Sequence, residues 1–172
     1  MLRTLAFILL AAVPSQAIPY SPPSVDDTML ASIIVARHNS ARMDVGTKPM
    51  VWNPGLAADA ARWARHLAST GQFEHDPQER DDPEGENLWM GTRGHYPVQR
   101  MVQAWEDEKE AFRPGRFPDN SRTGSWSDVG HYTQMVWKDT REVGCAIARN
   151  ASDEVLVCRY AQAGNVMGES PI

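Results

Sequence analysis

The residues best suited to chemistry sit in Gly130-His131-Tyr132-Thr133-Gln134-Met135-Val136-Trp137. A histidine, a phenol, a hydroxyl and an amide lead into an apolar run from Met135 to Trp137. An apolar run alone is core; a titratable ring at its leading edge marks a core element with one end open to a polar cavity. A neutral imidazole there can take a proton or ligate a metal. The bland alternative is a capped short helix whose histidine is only hydrogen-bonded. A second residue stands out upstream. Val98, Met101, Val102, Trp105 and Phe112 share a helical stripe, and the same spacing puts Glu108 on or beside its apolar face. Glu106, Asp107 and Glu110 fall further round, as solvated charge. A carboxylate facing a core is costly unless paired, hydrogen-bonded or metal-bound; otherwise Glu108 is a stripe-edge residue that reaches water. There is no His-Glu-x-x-His, no Gly-x-Ser-x-Gly and no catalytic-cysteine pattern.

The elements that must position these residues can be read in order. Met29 to Met43 is a helix, with Leu30, Ile33, Ile34 and Arg37 at helical spacing. Met50-Val51-Trp52 is a short apolar bridge. Asn53-Pro54 caps and opens a second helix whose face is Leu56, Ala60, Trp63, Ala64 and Leu67, and Gly71 ends it. Phe73 to Glu84, which contains His75, is a polar loop. Gly85 to Gly91 is a short strand or bend, Tyr96-Pro97 opens the third helix, and Arg113 to Asp128 is a long loop of the kind that shapes a site mouth.

Glu142 to Arg149 and Glu154 to Ala161 alternate as a hairpin. A loop of Asn150 to Asp153 pairs Arg149 with Glu154, Ile147 with Leu156 and Cys145 with Cys158. The two thiols then face each other, and a cross-strand disulfide follows where backbone geometry permits. One face carries Val143, Cys145, Ile147, Leu156, Cys158 and Tyr160; the other carries Ala146, Ala148, Val155 and Val157. A sheet apolar on both faces must be covered on both, so the expected fold is α+β, a three-layer α-β-α sandwich around a central antiparallel sheet. Asn150-Ala151-Ser152 matches a glycosylation acceptor but reads first as an ordinary turn.

Residues 1–17 are expected to be a signal peptide: Arg3, an apolar run from Leu5 to Val13, then the small residues of Ser15-Gln16-Ala17. The run is too short to span a bilayer. Residues 18–28 are expected to be an extended, proline-containing leader, and 29–168 the folded domain. Without Arg3, 16 basic residues oppose 22 acidic ones, a net charge near −6. No basic stripe appears, which argues against nucleic acid and anionic lipid as partners, and no span remains after the signal is removed. Export, extracellular or periplasmic, permits the disulfide.

With these pieces placed, the chain resembles the CAP superfamily of cysteine-rich secretory proteins, antigen 5 and pathogenesis-related proteins of class 1, in a small single-domain form. Gly130 to Trp137 resembles one family signature, and Val155-Leu156-Val157-Cys158-Arg159-Tyr160 with Gly164-Asn165 a second. His38-Asn39 with Arg42, Trp52-Asn53 with Leu56-Ala57, and Gly85-Glu86-Asn87-Leu88 also fit. The resemblance runs from about Leu30 to Asn165. It implies an α-β-α sandwich with a central cleft lined by His75, Glu86, Glu108 and His131. It also implies zinc or another divalent ion on His75 and His131 in some members, and sterol or fatty-acid grooves in others. A serine proposed as catalytic in some members is replaced in Met90-Gly91-Thr92 by Thr92. The remaining histidines, His38, His66 and His95, take packing or surface roles.

The expected function is a secreted binding protein whose cleft holds a divalent metal, a small or lipid-like ligand, or faces an unidentified protein partner. Two alternatives stand beside it. One is a hydrolase in which Glu86, Glu108 or His131 activates water, with or without a metal. The other is a structural module in which the four polar residues form a satisfied network.

Overall fold

A computed structural model of the chain describes residues 25–78 and 84–172. The expected signal peptide and most of the leader lie outside the described residues. In chain order the elements are α1 (Val25–Val45), β1 (Val51–Trp52), α2 (Pro54–Thr70), β2 (Gly85–Thr92), α3 (Val98–Asp107), α4 (Gly130–Val136), β3 (Glu142–Arg149) and β4 (Asp153–Ala161). Helix α1 starts four residues before the expected Met29, so residues 25–28 are helical and not extended leader.

The strands form one sheet in the order β1-β3-β4-β2. Strand β4 is antiparallel to both neighbours, and the hairpin register is the one the alternation implies: Arg149 opposite Glu154, Ile147 opposite Leu156, Cys145 opposite Cys158. Cys145 and Cys158 form a disulfide. The expected central antiparallel sheet is formed by β2, β4 and β3, and the two-residue β1 adds one parallel pairing at its edge. Strand β1 runs parallel to β3, because α2 carries the chain across the sheet before it returns.

Helix α2 covers one face. Ala60, Trp63, Ala64 and Leu67 pack on Leu88, Val155 and Val157. Its start is set by Asn53, whose Oδ1 accepts hydrogen bonds from Gly55 N and Leu56 N, and its end by Gly71 at φ 71°. Gly144 of β3 lets α2 lie directly on the strand: a Cβ there would sit 2.2 Å from Ala57 N and 2.5 Å from Asn53 O. Helices α1, α3 and α4 cover the other face, where Ile34, Met101, Val102, Trp105 and Met135 pack with Val143, Leu156 and Tyr160. The three layers are thus present, each burying its apolar stripe against the sheet.

The expected α3 stripe is revised at two points. Helix α3 stops at Asp107, and Glu108–Glu110 form a 3-10 turn, so Phe112 belongs to a separate bridge with Ser121. Glu106 is not solvated charge. Its carboxylate meets Arg37 Nη2 of α1 at 2.6 Å with only 13 % of the side chain exposed. Burial raises its pKa against the pull of Arg37. In the hairpin, Asn150 Nδ2 donates to Ala68 O and Oδ1 accepts from Ser152 N and Asp153 N. The side-chain nitrogen a glycan would occupy is therefore the one that ties the turn to α2.

Candidate functional site

The short helix α4 is held at both ends by charged side chains from elsewhere. At its start, Glu108 Oε2 accepts hydrogen bonds from His131 N at 2.9 Å and Tyr132 N at 3.0 Å. At its end, the buried Arg42 donates to Met135 O, Trp137 O and Thr140 O. A carboxylate at the N-terminus and a guanidinium at the C-terminus satisfy the groups a helix leaves unbonded and complement its dipole.

The same Glu108 reaches the ring of His131: Nδ1 lies 2.6 Å from Oε1. An ionised carboxylate only accepts, so Nδ1 carries the proton and Nε2 keeps its lone pair. The ring also lies parallel to buried Trp105, centroids 5.9 Å apart, and Asn87 Nδ2 of β2 donates to His131 O. The anomaly at Glu108 thus has its cause in α4, not in the α3 stripe.

A second pair has the same form. His75 Nδ1 donates to Glu86 Oε1 at 2.6 Å, and Asp76 N donates to that oxygen at 3.2 Å. Its support is different. Glu86 faces Arg159, its cross-strand neighbour on β4, with Oε2 2.9 Å from Arg159 Nη2. Arg159 also meets Asp76 Oδ2 at 2.6 Å and Glu84 Oε2 at 3.8 Å, and its side chain is 0 % exposed. Arg62 of α2 joins Asp76 at 2.8 Å. Burial raises the pKa of Asp76, but hydrogen bonds from Arg62 and Arg159 outweigh it and hold the carboxyl below its ordinary range.

The four expected site residues therefore occur as two histidine–glutamate pairs. The hydrogen bonds join each histidine to one glutamate. Glu86 and Asn87, adjacent on β2, tie to one pair each. Of the four residues expected to line one cleft, His75 and Glu86 line a cavity of about 500 Å³ and Glu108 and His131 do not; Gln134, one turn beyond His131 on α4, is the α4 residue that does. Among the described residues no group of three or more His, Cys, Asp or Glu side chains is placed to hold a metal ion. A divalent ion would have to rely on the two imidazoles. Their donor chemistry fits: a carboxylate fixes the proton of each ring on Nδ1 and leaves Nε2 as the ligand atom.

The remaining histidines fall elsewhere. His38 is buried between Ile34 O and the Tyr160 hydroxyl, His66 stacks on Trp63, and His95 lies edge-on to Tyr96. Thr92 lies at the other end of β2 from Glu86, about 20 Å away at strand rise, which removes it as a stand-in for a serine beside the pair.

Sequence reasoning missed Arg159, Asp76 and Glu84. The signal was present. On β4 the alternation Val155, Val157, Arg159 puts a guanidinium on a face otherwise packed under α2, and a buried cation requires carboxylates nearby.

The model of the cysteine-rich secretory protein (CAP) family matches residues 35–160. Pathogenesis-related protein 1B of Nicotiana tabacum is 36 % identical over 135 residues, covering 78 % of this chain and 76 % of that protein. Venom allergen 5 of Polistes dominula is 33 % identical over 162 residues, covering 80 % and 69 %. A crystal structure of NaASP2 with Zn2+ superposes with a TM-score of 0.68 at 25 % identity, covering 87 % of this chain and 88 % of that one. Hookworm platelet inhibitor, at 18 % identity and a TM-score of 0.65 over 88 % and 78 %, shares the fold.

Proposed function

The chain belongs to the cysteine-rich secretory protein (CAP) family, and on that premise we propose that it is an exported binding protein whose cleft takes a divalent ion, zinc in the first instance, on His75 and His131. The observation that carries this is the matched pair of contacts, each Nδ1 bonded to a glutamate at 2.6 Å. Glu86 and Glu108 orient the rings and raise the basicity of Nε2. Bound zinc would supply a Lewis-acidic centre with open positions for water or a ligand atom. The related NaASP2 structure that contains Zn2+ supports the choice of metal. Export is supported by the family and by the Cys145–Cys158 disulfide, which suits an oxidising compartment. No helix among the described residues is long and apolar enough to cross a membrane.

One observation favours a structural role for half of the site: the carboxylate of Glu108 accepts three hydrogen bonds, two of them from the α4 backbone. Calorimetric titration with zinc separates the two roles. Zinc binds the parent protein, binds His75→Ala and His131→Ala at least tenfold more weakly, and does not bind the double variant. Affinity falls with acid, because protons compete for the neutral rings. Equal affinity in parent and double variant removes the metal reading.

A further inference from the structure

The sheet has an open edge at the end of β2 away from Glu86. In an antiparallel ladder alternate residues turn both backbone groups to one neighbour, and the residues between turn theirs the other way. Asn150 N donates to Asp153 O across the hairpin, so the odd-numbered residues of β4 face β3 and the even-numbered ones face β2. Their partners on β2 are Gly85, Asn87, Trp89 and Gly91, and Arg93 N continues that set by donating to Ser152 O. Glu86, Leu88 and Met90 therefore turn their N–H and C=O groups away from β4, and no described strand lies beyond β2. The Leu88 carbonyl is taken by Trp105 Nε1 at 3.1 Å. The outward N–H and C=O of Met90 have no hydrogen-bond partner among the described residues.

Met90 lines a groove of about 270 Å³ between β2 and α3. Trp89 folds across Gly91, where a Cβ would sit 2.5 Å from its Cη2, and the exposed Tyr96 stands edge-on to that indole with centroids 5.3 Å apart. The α3 wall presents Arg100, Gln103 and Asp107. Asp107 Oδ1 accepts from Gln103 Nε2 at 2.7 Å, whereas the Arg100 guanidinium has no ion pair or hydrogen bond among the described residues. Open strand edges invite pairing with another chain, and proteins usually blunt them with proline, bulges or charge. Over its length β2 has one charged residue, Glu86, no proline, and a register without interruption.

We propose that this groove takes an extended acidic peptide segment of a partner protein, added as a strand to β2, with its backbone on Met90 and a carboxylate on Arg100. Donors and acceptors alternating along a strand edge match a peptide backbone, and the guanidinium on the facing wall selects the charge. Met90 lies about 13 Å along β2 from Glu86 at strand rise, so the zinc reading and this one stand or fall separately.

The test titrates the isotope-labelled full chain with the capped peptide Thr-Val-Glu-Val-Thr-Val and with the same peptide carrying Lys in place of Glu, followed by amide NMR. The acidic peptide is expected to shift the Met90 amide, slow its hydrogen exchange, and bind about fivefold more tightly than the lysine form, the upper range for one exposed ion pair. Arg100→Glu, on the exposed face of α3, reverses that preference. Two further peptides carry N-methyl groups on alternate amides, one on each set. The set that faces β2 loses binding at least tenfold, and the other set keeps it. Met90→Pro removes the outward N–H and leaves the ladder to β4 intact, so it weakens every peptide. If that variant does not fold, Arg100→Glu and the methylated peptides decide the matter. Absence of peptide binding, equal affinity of the acidic and lysine forms, or equal loss from both methylated sets overturns the proposal. Protection of the Met90 amide by self-association without peptide also overturns it, in favour of a second copy of this chain.

Discussion

The two histidine–glutamate pairs have the same contact length and different foundations. His131 stands on the core: its ring lies on buried Trp105, and its glutamate also closes the start of α4. His75 stands on charge: its glutamate is fixed by Arg159, which no apolar packing could replace in that role. The exposure of the rings follows, 34 % for the His131 side chain against 67 % for His75. One arrangement spends fold stability to aim an imidazole, and the other uses a buried ion network to aim one at the rim. The same local geometry can therefore fail in two different ways.

The largest effect is expected from the network. Arg159→Met removes a fully buried cation from three carboxylates and is predicted to destabilise the fold by roughly 3–5 kcal/mol in chemical denaturation. A loss under about 1 kcal/mol would mean that Glu86 is positioned by something else.

Acid should separate the two foundations by pH. Beneath the His131 side, burial pushes His38 down to about 4 from 6.5; the Ile34 carbonyl opposes this and Arg42 adds to it. Between those values the unfolded chain takes up a proton and the native state does not, so stability falls as pH drops through that window. The loss is on the order of 3 kcal/mol, and His38→Gln should flatten it in pH-dependent melts. Asp76 has its pKa lowered, so the stability it contributes is present at neutral pH. That contribution is lost only as pH falls below the ordinary carboxylate range. A pH profile unaltered by His38→Gln would break this distinction.

Glu108→Gln should cost about 1–3 kcal/mol, because an amide cannot accept from the ring and both α4 backbone groups as the carboxylate does. His75→Ala should change stability by less than about 0.5 kcal/mol, since the ring is mostly exposed, while weakening zinc. If His75→Ala destabilised the fold more than Glu108→Gln, the two foundations would be assigned the wrong way round.

What was legible in the sequence divides along the same line. Alternation in Glu142 to Arg149 and Glu154 to Ala161 specified the register, both faces and the cysteine pairing, because a one-residue slip would expose the whole set. Glu108 was conspicuous for a sound reason, a carboxylate among core residues. Its partner could not be read, because α3 ends at Asp107 and the amides it serves are 23 and 24 residues on. Glu106 was misjudged because helical periodicity describes one helix, and its burial comes from Arg37 of another. Arg159 is legible as a charge on a strand face otherwise occupied by Val155 and Val157, but its carboxylate partners Asp76, Glu84 and Glu86 lie more than 70 residues away in sequence.

The central claim is that these differently founded imidazoles serve one ion. Crystals of the full chain grown with zinc and measured at the zinc absorption edge test it most directly. A single anomalous peak is expected about 2.0–2.1 Å from Nε2 of both His75 and His131, with no protein ligand at the remaining positions. Two separate peaks, or one peak reached by a single histidine, would contradict it.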